Sequence, residues 1–154
     1  MNRMKWIITV ILIAVIAMQF IPRTYDQDSR IKATDITRIY PVPPKVQAVL
    51  KNSCYDCHSD YTRYPWYARI QPVNSWMTSH INQGKKELNF SEFGSYSGRR
   101  QQSKLKAIIN SIQDKKMPLT AYTLIHKNAK LTETDKKSVI SWIEKTKDSL
   151  SLIN

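Results

Sequence analysis

The residues of this chain whose types and spacing most directly indicate a chemistry are Cys54, Cys57 and His58, in the run Cys54-Tyr55-Asp56-Cys57-His58. Two thiols at this spacing can form thioether bonds with the two vinyl groups of a haem, and the imidazole that follows can bind the iron as proximal ligand. The chain has no other cysteine among its 154 residues. The sequence therefore predicts one covalently attached haem c per chain.

Two other functions of the cysteine pair stay open at this point. A thioredoxin-like dithiol would need a strand leading into the motif within a βαβ pattern, and nothing upstream resembles that strand. A structural zinc site would need a second ligand pair at close spacing, whereas His80 and His126 lie far apart in the sequence. In an oxidising compartment without haem, the two thiols would form a disulfide.

The second axial ligand determines whether the haem iron transfers electrons or binds small molecules. Met117 is the first candidate, because Lys115-Lys116-Met117-Pro118-Leu119 follows a predicted helix and Pro118 stiffens the loop. His80 is the runner-up, on a helical face that it shares with Trp76. His126 and Met77 are further alternatives, and so is an open distal site.

Residues 1–22 predict a membrane anchor or uncleaved signal, because residues 6–21 are nearly all apolar and are flanked by Lys5 and Arg23. Residues 23–43 predict an extended tether, rich in Asp and Pro. Since c-type haem is attached outside the bacterial cytoplasm, the haem prediction implies a single-pass protein of the cytoplasmic membrane whose remaining residues face the periplasm.

Residues 44–154 predict one all-α domain around the haem. Apolar positions at helical spacing indicate a helix from Pro44 to the haem motif and another from Pro72, with Gly84 as its C-cap. A third helix includes Leu105 to Ile112 and ends by Pro118. A fourth begins at Thr132, which forms a capping-box pattern with Asp135. The aromatic tract around residues 61–67 and the segment 85–98 predict irregular structure.

The charge of the chain is strongly basic, with 24 Lys and Arg against 12 Asp and Glu and a net charge of +12. A basic surface can steer acidic redox partners or hold the domain near anionic lipid headgroups. Nucleic acid is not an expected partner of an exported domain.

The motifs together resemble those of small membrane-anchored haem-binding domain proteins of bacteria, which are related to class I cytochrome c. The resemblance covers most of the soluble part, through Cys54 to His58, residues 63–67, 70–73 and 86–91, and Met117-Pro118 with residues 122–126. It implies a cytochrome c-like helical fold, with thioether bonds at Cys54 and Cys57 and with His58 on the iron. A Met-Pro loop before the last helix supplies the distal ligand in cytochromes c, and Met117 followed by Leu131–Lys145 matches that arrangement.

We therefore expect a monohaem electron-transfer protein at the periplasmic face of the membrane. The alternative is a haem-based sensor or a peroxidase-associated module with an open distal site; a haem-free interaction module is a further alternative. With a single haem motif, the chain has no di-haem peroxidase mechanism of its own, and an enzymatic role is not the primary expectation.

Overall fold

The regular structure of the described residues is helical. The structure is a computed structural model that describes residues 2–25 and 30–152. Its α-helices are α1 (Arg3–Met18), α2 (Ile36–Ile39), α3 (Pro44–Ser53), α4 (Tyr55–His58), α5 (Val73–Glu87), α6 (Gly98–Gln113), α7 (Thr120–Ile125) and α8 (Glu133–Ser151). Short 3₁₀ helices cover Trp66–Arg69, Phe90–Ser95 and Lys127–Ala129. These two ranges contain no strand, so the predicted all-α class is confirmed.

The core lies where α8 packs against both α3 and α6. On α6 the predicted apolar face is confirmed, because Leu105, Ile109 and Ile112 are buried at helical spacing. The buried face of α8 includes Val139 and Ile143. Burial of side chains of this size stabilises the fold by about 1.5–3 kcal/mol each.

The start of α8 has the capping box that the sequence predicts. Thr132 Oγ1 accepts from the Asp135 N–H at 3.1 Å, and the Asp135 carboxylate accepts from the Thr132 N–H at 3.1 Å. Two N–H groups that lack helical partners are satisfied in this way. Further along α8, the buried Trp142 donates from Nε1 to the Pro41 carbonyl at 3.1 Å, which ties the last helix to the segment before α3.

Residues 30–43 differ from the extended tether that the sequence predicts. Asp35 is buried and caps α2 by accepting from the Thr37 N–H at 2.8 Å. The fully buried Ile36 joins the core, and the Thr34 hydroxyl donates to the Ser91 carbonyl at 2.7 Å. The segment therefore packs as part of the domain. Residues 26–29 of the predicted tether lie outside the described residues.

Helix α5 does not end at Gly84, so the predicted C-cap there is wrong. The helix continues to Glu87, and the N–H of Leu88 bonds the Gly84 carbonyl at 2.9 Å. Gly84 stands within the helix because another element approaches it closely, as the site geometry shows below.

Helix α1 is mostly apolar, and all its residues except the half-buried Met18 are exposed. Its 16 residues extend about 24 Å at ~1.5 Å per residue, whereas a bilayer core is about 30 Å thick. Among the residues that the structure describes, no helix has both the length and the apolar character needed to cross a membrane. The predicted transmembrane helix within residues 1–22 is thus not supported.

Candidate functional site

The two cysteines and His58 lie on a helical turn that directly follows α3. The Cys54 N–H donates to the Leu50 carbonyl at 3.0 Å, and the Cys54 carbonyl accepts from the His58 N–H at 3.0 Å. Between these bonds the backbone of Cys54 leaves helical geometry, with φ −128° and ψ −44°. Because residues three and four positions apart share one face of a helical turn, Cys57 and His58 are presented next to Cys54. We call residues 54–58 the attachment turn.

Both thiols of the attachment turn are free and half-buried, with no disulfide between them. Burial raises the pKa of the Cys54 thiol to about 12, with a smaller effect of Cys57. Burial, followed by the nearby Asp56 carboxylate, raises the pKa of the Cys57 thiol to about 11. A dithiol oxidoreductase works through a thiolate of lowered pKa, so this environment opposes dithiol chemistry.

The surroundings of these thiols do not provide the ligands of a zinc site. Residues 2–25 and 30–152 contain no group of three or more His, Cys, Asp or Glu side chains arranged to hold a metal ion. A structural zinc site needs four such ligands.

The imidazole of His58 is held by two backbone carbonyls at the end of α5. Its Nδ1 lies 2.9 Å from the Gly84 carbonyl oxygen and 3.0 Å from the Leu88 carbonyl oxygen. Since both partners can only accept, Nδ1 carries the proton and Nε2 keeps its lone pair for a metal. Burial lowers the pKa of His58, and the two carbonyls oppose that effect. The neutral tautomer that results is the one that binds iron through Nε2.

Gly84 allows α5 to approach the attachment turn. A Cβ atom at this position would lie 2.6 Å from the Cys57 carbonyl oxygen and 3.4 Å from His58 Cε1. The first distance is well inside van der Waals contact, and the atom concerned belongs to the backbone. Only glycine therefore lets α5 lie close enough for its carbonyls to reach the His58 ring.

A cleft of about 260 Å³ opens beside the attachment turn, and Cys54, His58 and Met117 all line it. Its apolar walls come from α6, from the segment after α5, from the residue after Met117 and from the segment before α8, through Leu88, Phe90, Ile108, Ile112, Pro118 and Leu131. Cys57 is not among the lining residues. An apolar cleft with a thiol, a neutral imidazole whose Nε2 is free and a thioether has the donor set that a c-type haem requires, so the residues present fit that cofactor.

Met117 reaches the cleft on a loop fixed at the end of α6. Lys115 has φ 57°, in the left-handed region. The N–H of Lys115 bonds the Ile112 carbonyl at 3.2 Å, and that of Lys116 bonds the Ser111 carbonyl at 2.9 Å. These two bonds form a Schellman motif, which ends α6 and turns the chain back. Met117 itself is 40 % exposed, as expected of a residue at the edge of a cleft and not of one that fills the core.

The other distal candidates lie outside the lining of this cleft. His80 stands on α5, the helix that supports His58, with Nδ1 3.0 Å from the Trp76 carbonyl and its ring 4.3 Å from that of Trp76. His126 bonds the Tyr67 hydroxyl through Nε2 at 2.6 Å. Met77 is half-buried on α5. The structure thus brings His58 and Met117 to one cleft and leaves these three elsewhere.

Several residues that shape the site were not identified from the sequence. Gly84 was visible there, but its position after an apolar run favoured a helix cap. The Leu88 carbonyl gives no sequence signal, because every residue has one. Asp56 and Tyr122, which share a hydrogen bond of 2.6 Å, are 66 positions apart, and no local pattern connects them.

Comparison with known proteins gives one match. A family model described as "Haem-binding domain" matches residues 13–145, which is most of the chain. No curated protein and no solved structure matches it.

The variant Gly84→Ala should destabilise the protein by up to about 2 kcal/mol. Alanine in place of a helical glycine normally gains about 1 kcal/mol, but the added Cβ would meet the Cys57 carbonyl, and overpacking of this kind costs about 1–3 kcal/mol. The clash should outweigh the gain, because backbone atoms on both sides must move. Urea unfolding measures the difference.

The matched control is Gln83→Ala on the same helix, where the exposed side chain should change stability by no more than about 0.5 kcal/mol. A Gly84→Ala protein as stable as the wild type would show that α5 and the attachment turn can separate at little cost.

Proposed function

Because this chain belongs to the haem-binding domain family, we propose that it binds one haem covalently, in a cytochrome c-like manner, and passes single electrons through it. The observation that carries the proposal is the attachment turn, where the Cys54 thiol and a neutral imidazole with a free Nε2 line an apolar cleft and Cys57 lies on the same turn. Haem binding follows from family membership; covalent attachment and electron transfer are our proposal.

Four residues would hold the cofactor. The thiols of Cys54 and Cys57 would hold it through thioether bonds, and His58 Nε2 and the Met117 sulfur would bind its iron. A haem with this His/Met pair supplies one-electron oxidation and reduction at a raised potential. The apolar walls of the cleft exclude water, and the carbonyls of Gly84 and Leu88 fix the ring of His58.

Covalent attachment is tested on the denatured chain, made in cells that contain the c-type maturation machinery and extracted with acid acetone. The wild type should retain one haem per chain in a pyridine haemochrome assay. Cys54→Ala with Cys57→Ala should release all of it, because the chain has no other thiol. Ser53→Ala, a change beside Cys54 in the wall of the same cleft, is the matched control. Release of haem from the wild type would show that the haem is not covalently attached and that the chain is a non-covalent haem protein.

Location is a further part of the proposal. A covalent c-type haem is attached outside the cytoplasm, so we propose that the domain faces the periplasm and associates with the cytoplasmic membrane through residues 1–22. In support, the apolar side chains of α1 are exposed and have no core to bury them. Staining for haem in separated membrane and soluble fractions shows whether the haem-loaded chain associates with the membrane.

A second function, binding of small ligands at an open distal position, is favoured by one observation. Met117 lies at the edge of the cleft and is 40 % exposed, so a diatomic molecule could reach the iron if the thioether leaves it. A haem-based sensor, or a module that works with a peroxidase, would use such a site.

The variant Met117→Ala separates the two functions. If Met117 binds the iron, the wild type should show a six-coordinate low-spin spectrum, and the variant should lose it, bind CO rapidly and have a lower reduction potential. Met77→Ala is the control for loss of a methionine, because Met77 is half-buried on α5 and lies outside the cleft. Rapid CO binding by the wild type, with no further change in Met117→Ala, would favour the sensor.

The electron partner is proposed to be an acidic protein that docks at the mouth of the cleft. Lys104 lines the cleft, and Lys115 and Lys116 are exposed beside Met117. Attraction between opposite charges raises association rates and is screened by salt.

Reduction of the haem-loaded protein by an acidic flavodoxin should therefore slow as ionic strength rises, whereas reduction by a neutral hydroquinone should not. Lys116→Gln should slow the first reaction at low salt, and Lys137→Gln, exposed on α8 away from the cleft lining, is its control. Equal rates at low and high salt would exclude charge-guided docking.

A further inference from the structure

The Asp56 carboxylate of the attachment turn is a buried charge with an unusual set of partners. The residue is only 8 % exposed. Its Oδ1 accepts from Arg63 Nε at 3.0 Å and from the Arg63 backbone N–H at 3.2 Å. Its Oδ2 accepts from the Tyr122 hydroxyl at 2.6 Å and from Arg63 Nη2 at 3.3 Å. A carboxylate removed from water needs such partners, so this cluster is bound tightly.

Tyr122 belongs to α7, the helix that begins three residues after Met117. Arg63 is close to Asp56 in the sequence, but Tyr122 is 66 residues away. The Tyr122 hydroxyl therefore joins the attachment turn, where the haem would be bound covalently, to the segment that carries the proposed distal ligand.

Helix α7 has little other attachment to the domain. None of its residues is buried, and Leu124 and Ile125 are each 64 % exposed. The ring of Tyr122 stacks on His126 at 4.3 Å, and His126 in turn bonds Tyr67. With so little apolar burial to hold this helix, polar contacts such as that of Tyr122 must carry much of its stability.

We propose that the hydrogen bond from Tyr122 to Asp56 is a latch that holds the Met117 loop over the cleft. This inference rests on the proposed function, because it takes Met117 as the distal ligand. With the latch closed, the Met117 thioether stays at the cleft and the site suits electron transfer. With the latch broken, the Met117 side chain and residues 118–126 move away from the cleft and small ligands gain access. Asp56 and Tyr122 are positioning residues, since they act through Met117.

The protonation of Tyr122 agrees with this role. Burial, and then the hydrogen bond to Asp56, raise the pKa of the Tyr122 hydroxyl above its ordinary value. The hydroxyl therefore stays a donor throughout the neutral pH range, and its partner is a charged acceptor, which makes the bond one of the stronger kinds.

The experiment uses the full, haem-loaded chain with Tyr122→Phe, which removes the hydroxyl and keeps the ring. The population of the opened loop should rise about tenfold or more, as expected for loss of a hydrogen bond to a charged group. The rate of CO binding to the reduced protein should rise by the same factor, while the amount of covalent haem should not change. Tyr40→Phe is the matched control, because it removes a hydroxyl that bonds Gln101 at 2.5 Å, outside the cleft lining.

Hydrogen exchange of residues 118–126, measured with and without haem, provides a readout that does not depend on the iron. Faster exchange there in Tyr122→Phe than in Tyr40→Phe supports the latch, and unchanged exchange overturns it. Unchanged CO binding in Tyr122→Phe also overturns it, provided that Met117→Ala itself accelerates CO binding. If Met117→Ala has no effect on the spectrum, the proposed distal ligand is wrong. Hydrogen exchange alone then tests whether the bond from Tyr122 to Asp56 holds the loop.

Discussion

The ring N–H of His58, shared between the carbonyl oxygens of Gly84 and Leu88, is the interaction on which the site depends. It orients the ring, sets the tautomer and requires α5 to lie directly on the attachment turn. That approach is possible because residue 84 has no side chain: the Cys57 carbonyl occupies the space that a Cβ would fill. The position of α5 and the direction of Nε2 thus follow from one backbone contact.

The distal side is built in a different way. Met117 stands on a short loop between α6 and α7, and α7 exposes most of its surface. The side of the cleft at His58 is therefore held by backbone carbonyls and a packed helix, whereas the side at Met117 relies on a few polar contacts. In the haem site that we propose, one iron ligand would be kept permanently and access at the other would be controlled, and this asymmetry would serve both requirements.

The sequence was most informative where local pattern decides structure. Apolar spacing located the buried faces of α6 and α8, the pair Thr132 and Asp135 marked the start of α8, and the cysteine spacing marked the site. It was least informative where one element acts on another. Gly84 was interpreted as a helix cap because the carbonyl that approaches it belongs to a different helix. The sequence of residues 30–43 predicts a tether because its composition gives no sign that Asp35 and Ile36 are buried. For α1, the apolar composition predicts a membrane-spanning helix, although the helix is too short to be one.

The loop before Met117 has a further consequence. The Ser111 carbonyl accepts from the N–H groups of both Lys116 and Met117, at 2.9 and 3.2 Å, so the backbone of the loop is ordered when the chain folds. A ligand carried on such a loop loses little conformational entropy when it binds its metal. The strength of a thioether at this position is then governed partly by the residues that close the end of α6. In the function that we propose, substitutions at residues 111–116 would accordingly tune the redox centre without touching any atom that coordinates it.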